Sequence, residues 1–441
     1  MRARDTLFIG FTLFALFFGA GNLIYPVSLG MESGHSYFAA IAGFVLTGVG
    51  LPIITIAAIS LVQNGAIQLA GRVHPMFGLL FTSMVYLVIG PFFAIPRAAN
   101  VAFETGVVPF VNGSSLTLFI FTVVFFILVY WVSLNPSKMV DRIGQMLTPA
   151  LFLAILGLVI GSFFFLDGPV QSAGEKYQAQ PFFTGFLEGY LTMDAIASLA
   201  FGIIVITSFR DRGVTNPKVL MTRTIKAGLI TAVALTSVYV AIGWIGVKMA
   251  SEGTYDNGSA ILSGAAQIMF GQPGTILLGV IVSLACFTTC VGLTVACGQF
   301  FSKRIPNMSY NAVIIIVTLI SFGISNIGLN QIISYSVPVL VFVYPITIVL
   351  VALTFIGRLF NHSTYVYRGA VLFTSVIALY DGLVAFGVDV SSIQPLISQL
   401  PLFELNLSWV VPAVIGGLIG GGIQLIKQPK EQSVSKESYQ N

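Results

Sequence analysis

Charge is scarce in this chain. Of its 441 residues only 8% are Asp, Glu, Lys or Arg, where a soluble domain carries about 25%. A water-soluble globule is therefore excluded, and a net charge of +4 says nothing about nucleic acid. Histidine is rarer still: His35, His74 and His362 all fall in connections between apolar runs. A membrane-embedded enzyme needs His, Cys or paired acids within its spans, and that class finds no support. Cysteine is confined to Cys286, Cys290 and Cys297 in one apolar segment. Spacings of four and seven place them near one helical face, where small packing residues are the expected role; neither disulfides nor a metal site with His or carboxylate company is indicated. A cleavable leader is not expected either, since the first apolar run is too long and lacks a small-x-small cleavage site. No long polar linker or soluble domain interrupts the chain, and no filter repeat or continuous polar lining suggests a channel.

What the chain has is hydrophobic length: 56% of its residues are apolar and its mean hydropathy is +0.95. Stretches of roughly spanning length occur at Thr6–Gly30, Tyr37–Val62, Phe77–Ile95, Leu116–Leu134, Met146–Leu166, Gly189–Phe209, Ala227–Val247, Thr275–Phe301, Ala312–Ser325, Ile332–Ile356, Val366–Phe386 and Leu407–Ile426. These predict an all-α integral membrane protein of twelve transmembrane helices, with a tight hairpin at Asn326–Asn330 between the ninth and tenth. Orientation follows from the basic residues. With the N-terminus in the cytoplasm, every Lys and Arg except Lys176, Lys248 and Arg97 falls on the cytoplasmic side, from Arg2 and Arg4 through Lys138 to Lys430 and Lys436. Both termini are expected to be cytoplasmic.

The first run carries Phe18-Gly19-Ala20-Gly21-Asn22, with Tyr25-Pro26 following, halfway along. Glycine costs about 1 kcal/mol in a helix interior, and in lipid a broken helix is tolerated only where a cavity or solute satisfies its backbone. Two readings stand: a discontinuous helix offering amides and carbonyls to a ligand, or small residues admitting a close neighbour. The sixth run repeats the theme, with Asp194, the small residues Ala195, Ala197 and Ser198, and Gly202. If the chain is two five-span repeats of opposite topology plus two further helices, runs one and six occupy equivalent places. Paired interruptions of that kind point to a transporter's site. The predicted units are residues 1–180, 181–360 and 361–428, then a tail at 429–441.

The eighth run supplies Thr288 and Thr289. Their hydroxyls can serve a hard cation, or each can bond its own helix carbonyl one turn back. Asp194 is either a functional intramembrane acid, facing an ammonium or carrying a proton, or an acid in an outer vestibule. Arg97 reads as an interfacial arginine with its head in water, or as an outer gate with Asp381 or Glu104. Tyr86 and Ile89 are candidates to line the same cavity.

Together the Phe18–Asn22 segment with Tyr25-Pro26, the Ser198–Gly202 stretch and Phe287-Thr288-Thr289 resemble the branched-chain amino acid:cation symporters of bacteria, over essentially the whole chain. The resemblance implies a LeuT-type 5+5 inverted-repeat fold with helices 1 and 6 discontinuous, in the bacterial cell membrane. It implies a secondary transporter importing leucine, isoleucine and valine with Na+, the alternative being a proton-coupled carrier or exporter of the same fold. The implied substrate site comprises Gly19, Ala20, Gly21 and Asn22 with Asp194, Ala195, Ser198, Leu199 and Phe201. The implied sodium ligands are the carbonyls of Ala15, Phe18 and Ala285 and the hydroxyls of Thr288 and Thr289. Asn22 falls where some relatives complete a second sodium site, but Ile196 stands where they have a hydroxyl. No nucleic acid and no obligate protein partner are expected.

Overall fold

The computed structural model describes residues 3–62, 65–111, 113–134, 139–210 and 212–427; Arg2, Lys138, Lys430, Lys436 and the 429–441 tail lie outside them. Among the described residues there is no strand. An apolar chain in lipid must satisfy its backbone internally, and helices do so one by one.

The first half comprises α1 (Ala3–Phe17), α2 (Ala20–Ser33), α3 (Tyr37–Val45) and α4 (Leu51–Ser60), then α5 (Gly65–Gly71), α6 (Pro75–Leu87), α7 (Ala94–Gly106), α8 (Ser115–Leu134) and α9 (Met139–Phe165). The second half comprises α10 (Glu175–Gln178), α11 (Pro181–Glu188), α12 (Asp194–Arg210), α13 (Pro217–Met249), α14 (Gly258–Ser302), α15 (Tyr310–Ser325), α16 (Leu329–Ile356), α17 (Thr364–Ala385), α18 (Gln394–Ile397) and α19 (Val410–Lys427). Eight helical stretches among the described residues are long and apolar enough to cross a membrane, and the segments Asp5–Phe17, Phe152–Phe165 and Tyr310–Ser325 are shorter apolar helices. The Asn326–Asn330 hairpin appears as expected, turning on Gly328 at φ +91°.

The first apolar run is divided. Helix α1 stops at Phe17, Gly19 is extended (φ −122°, ψ −165°), and α2 starts at Ala20. Both pieces pack against α13: Thr231 Oγ1 donates to the Gly10 carbonyl at 2.8 Å, and Tyr37, just past α2, donates to the Val240 carbonyl at 2.6 Å. A side chain at Gly10 would place its Cβ 2.9 Å from the Ile230 Cβ, so this glycine serves packing.

Three boundaries differ from the sequence reading. The sixth run is interrupted at Met193 (φ +65°), where a short 3-10 turn over Gly189–Thr192 ends and α12 begins at Asp194. The Ser198–Gly202 stretch is continuous helix, and Gly202 is small because its Cβ position lies 2.9 Å from Ile59 Cγ2. The third run does not end at Ile95: a kink at Gly90-Pro91, with non-helical φ/ψ at Gly90, leads into α7, which continues to Gly106 with Arg97 and Asn100 buried. Polar residues ended the hydropathy count there, yet they face protein rather than lipid. The eighth run begins earlier than expected, at Gly258, and its helix bends at Gly271 (φ +64°) ahead of Pro273.

Helix α14 packs along α7. Cys286, Cys290 and Cys297 are unpaired and fully buried. Cys290 Sγ lies 3.5 Å from the Ile95 carbonyl and Cys297 Sγ lies 3.4 Å from that of Tyr86. Cys290 packs where α14 meets α7 and Cys297 where α14 meets α6, the packing role expected of small residues.

Candidate functional site at two helix interruptions

Where α1 stops, backbone bonding is rearranged. The Phe18 amide still bonds the Phe14 carbonyl at 2.8 Å. The Gly19 amide, which a continuous helix would give to the Ala15 carbonyl, donates instead to Asn22 Oδ1 at 3.1 Å. Ala15 therefore loses its helical donor. Carbonyls at the end of α1 and amides at the start of α2 are the orphan groups every helix terminus leaves, with partial negative and partial positive character respectively.

Asn22 ties this break to the second one. Its Nδ2 donates to Asp194 Oδ2 at 2.5 Å and also to the Tyr239 hydroxyl. Tyr239 in turn donates to the same carboxylate oxygen at 3.2 Å. Asn22, Asp194 and Tyr239 are all buried, so Asp194 does not sit in an outer vestibule. As the first residue of α12 its carboxyl also stands at a helix N-terminus, a position that favours a carboxylate. Ser198 Oγ donates to the Asp194 carbonyl at 2.7 Å.

Gly21 lies where three elements meet. A Cβ built there would stand 2.7 Å from Arg97 Nη2, 3.2 Å from Arg97 Cζ and 3.4 Å from the Thr192 Cα. The α2 start, the turn before α12 and α7 thus converge on this one position. Arg97 does not reach for water: it is only 3% exposed. Its Nη1 donates to the Tyr25 hydroxyl at 3.1 Å and the Leu191 carbonyl at 2.7 Å, and Cζ lies 5.3 Å from the Tyr25 ring centroid. No carboxylate among the described residues lies within ion-pair distance of it, so neither Asp381 nor Glu104 pairs with it. Sequence reasoning placed Arg97 at the membrane edge because it follows Ile95-Pro96 at the close of an apolar run. The signal that could have corrected this is Asn100, one turn on, since two polar residues on one face suggest a buried stripe.

Thr289 also approaches the first break: a Cβ on Gly19 would be 3.5 Å from its Cγ2 and 3.6 Å from its Oγ1. The hydroxyls of Thr288 and Thr289 donate to the Ala285 carbonyl at 2.9 and 3.0 Å. Each keeps oxygen lone pairs free, so bonding one turn back and facing a cation are compatible. Neutral carbonyl and hydroxyl oxygens with no carboxylate are a donor set for a hard monovalent cation.

On the apolar side, Ala195, Leu199 and Phe201 are buried along α12. Phe201 meets Phe17 with ring centroids 6.4 Å apart, and Phe18 stacks on Phe14 at 5.1 Å. Tyr86 does not join this group. It stacks on Phe300 at 4.0 Å, eleven residues and so about 16 Å of helix rise along α14 from Thr289. Tyr239 and Thr192 were missed by sequence reasoning, and Tyr25, noted as part of the first motif, was given no role, because nothing in a hydropathy pattern distinguishes a buried tyrosine or threonine that faces a break from one that faces a neighbour.

Helix interruptions that meet at one centre are a feature of many secondary transporters, and the fold is of that kind. The chain superposes on Mhp1, a nucleobase-cation-symport-1 family transporter, with a TM-score of 0.64 over 96% of this chain and 92% of that one at 13% identity, which is a LeuT-type fold. The chain belongs to the branched-chain amino acid transport protein family, whose family model matches residues 2–427. It is 46% identical over 433 residues, covering 97% of both chains, to the branched-chain amino acid permease BraB of Bacillus subtilis. It is 44% identical over 424 residues, 95% of this chain and 96% of the other, to the permease BrnQ of the same organism. The protein is accordingly a transporter and not an enzyme.

Proposed function

We propose that this protein is a secondary active transporter that imports leucine, isoleucine and valine with Na+ by alternating access. The observation that carries the reading is the convergence at Gly21 of the α1–α2 break, the α11–α12 break and α7, in a chain whose relatives are named branched-chain amino acid permeases. The substrate lies between the two breaks. Its carboxylate faces the turn at Gly19, Ala20 and Gly21, with the Ala20 and Gly21 amides as donors, while Asn22 holds the Gly19 amide and braces that turn against Asp194. Ala195, Ser198, Leu199 and Phe201 form the apolar side. A pocket of that kind separates Leu, Ile and Val by only about 1–3 kcal/mol per methylene, so one carrier serves all three. The sodium ion takes the carbonyls of Ala15, Phe18 and Ala285 with the hydroxyls of Thr288 and Thr289.

The architecture that goes with this reading has twelve spans, α1–α2 and α11–α12 each forming one discontinuous span. Residues 1–180 and 181–360 are the inverted repeats, 361–428 the two added helices and 429–441 a tail, with both termini cytoplasmic in a bacterial cell membrane. The substrate and the lipid bilayer are the only partners assigned.

A second reading, proton coupling, is favoured by the burial of Asp194 in a hydrogen-bonded group with Tyr239 and Asn22, the usual setting of an intramembrane proton carrier. Uptake of labelled leucine into proteoliposomes, with sodium and proton gradients imposed separately, decides between them. Uptake driven by neither gradient refutes both.

A further inference from the structure

Arg97 has a free edge. Both of its hydrogen bonds are made by Nη1, to Tyr25 and Leu191. Its Nε is buried without any partner. Nη2, which shares the side-on face of the guanidinium with Nε, lies against Gly21 with room for hydrogen but not for a Cβ. A guanidinium cannot shed its charge, and a buried cation with no counter-ion is strongly unfavourable in protein and more so at membrane depth. Tyr25 and the Leu191 carbonyl satisfy one nitrogen, and among the described residues no carboxylate makes a direct ion pair with the guanidinium. The side-on edge of arginine is also the one that matches a carboxylate with two parallel hydrogen bonds. It lies beside Gly21 at the start of α2, where the Ala20 and Gly21 amides belong to the orphan donors of a helix terminus.

We propose that the Nε–Nη2 edge of Arg97 is the carboxylate-binding group for the transported amino acid, acting together with the α2 amides. This rests on the amino acid transport reading given above and adds to it a residue and a selection rule: a ligand must bring a free carboxylate. Gly21 has no side chain because the carboxylate and the guanidinium both need that volume. Tyr25 and Leu191 are positioning groups that hold Nη1 so that the other edge faces the break. The zwitterion then spans from Arg97 to the acidic side formed by Asp194, which begins two residues after Thr192.

The test compares leucine with leucinamide, which keeps the side chain and the amine and lacks the carboxylate. Binding of each to the purified full-length protein is measured by calorimetry in sodium chloride, for wild type, Arg97→Gln and Arg97→Lys, with melting temperature as a check on folding. The expected result is that wild type prefers leucine by about thirtyfold or more, the effect of a buried charge-assisted pair. Arg97→Gln cuts the preference to the few-fold that the α2 amides alone supply. Arg97→Lys keeps the charge without the fork, and retains at most a few-fold preference. If Arg97→Gln fails to fold, Arg97→Lys carries the test. A preference for leucine that keeps its wild-type size in the folded variants overturns this proposal alone, even if both affinities fall together, since a merely structural arginine would act on both ligands alike. Wild-type protein that binds neither ligand overturns the transport reading itself.

Discussion

Replacing Gly21 by alanine puts a methyl carbon 2.7 Å from Arg97 Nη2 and 3.2 Å from its Cζ, roughly 0.8 Å inside an ordinary contact near 3.5 Å. The far end of an arginine is normally free to move aside, but this one is anchored at 3.1 Å to Tyr25 and 2.7 Å to Leu191. Hydrogen bonds to charged groups are worth about 1.5–3 kcal/mol each, so the displacement loses a few kcal/mol. Alanine returns at most about 1 kcal/mol of helix propensity. The melting temperature should fall modestly, and leucine affinity should drop by about tenfold to a hundredfold, or roughly 1.4–2.8 kcal/mol. The comparison that gives this meaning is Gly10→Ala, whose Cβ would stand 2.9 Å from the Ile230 Cβ in the α1–α13 seam, nine residues before the break. That variant should lower the melting temperature and leave leucine affinity unchanged. Calorimetry and thermal unfolding on both purified variants are sufficient. If Gly21→Ala loses stability but keeps wild-type affinity, as Gly10→Ala is expected to, Gly21 is a packing glycine and the site assigned to the helix breaks is wrong.

Thr289→Val, and to a lesser degree Thr288→Val, keeps the side-chain shape and removes an oxygen; the sodium concentration needed for half-maximal leucine uptake should rise steeply, and unchanged sodium activation in both would remove these residues from the ion site. Asp194→Asn turns an acceptor of two buried hydrogen bonds into a group that can oppose them, so about 1–3 kcal/mol of stability and most uptake should be lost, with Tyr239→Phe milder in both; a normal rate and pH profile for Asp194→Asn would end its functional role. Lys176 joins Glu32 at 2.5 Å and Glu188 at 2.7 Å, linking the ends of α2 and α11, but it is 48% exposed. Partial burial works against its ammonium, yet the Glu188 and Glu32 carboxylates raise its pKa above the ordinary 10.5 on balance. While both carboxylates are ionised the contribution is complete below that value and is lost as pH rises beyond it, and Lys176→Met should cost under about 1 kcal/mol in thermal unfolding, less at high salt.

Much of the first break was legible before any coordinates, because Gly19 and Gly21 violate helix propensity inside a run otherwise suited to span lipid. The second was legible as a region around Asp194 but not as a residue. Gly202 attracted attention as the only glycine downstream of Asp194 in that run, whereas the backbone turns at Met193 in a left-handed conformation that methionine adopts only because surrounding structure imposes it. A propensity argument cannot see such a position. Arg97 was misread for a related reason: hydropathy counts which residues enter lipid, and a polar stretch that enters the protein interior looks the same as one that leaves the membrane. The twin threonines show the reverse case, where two readings proposed as rivals proved compatible, since one hydroxyl has both a proton to donate and lone pairs to offer.

The three cysteines are buried where α14 meets α6 and α7, so the unmodified protein should react little with thiol reagents in this folded conformation. Cysteine pairs can therefore be introduced directly into the native background, for instance at the exposed Glu175 and Ser391, and labelled with spin probes or fluorophores without first rebuilding that packing. The distances reported by such pairs, with leucine and sodium added in turn, would convert a static arrangement of broken helices into a measured cycle of opening and closing.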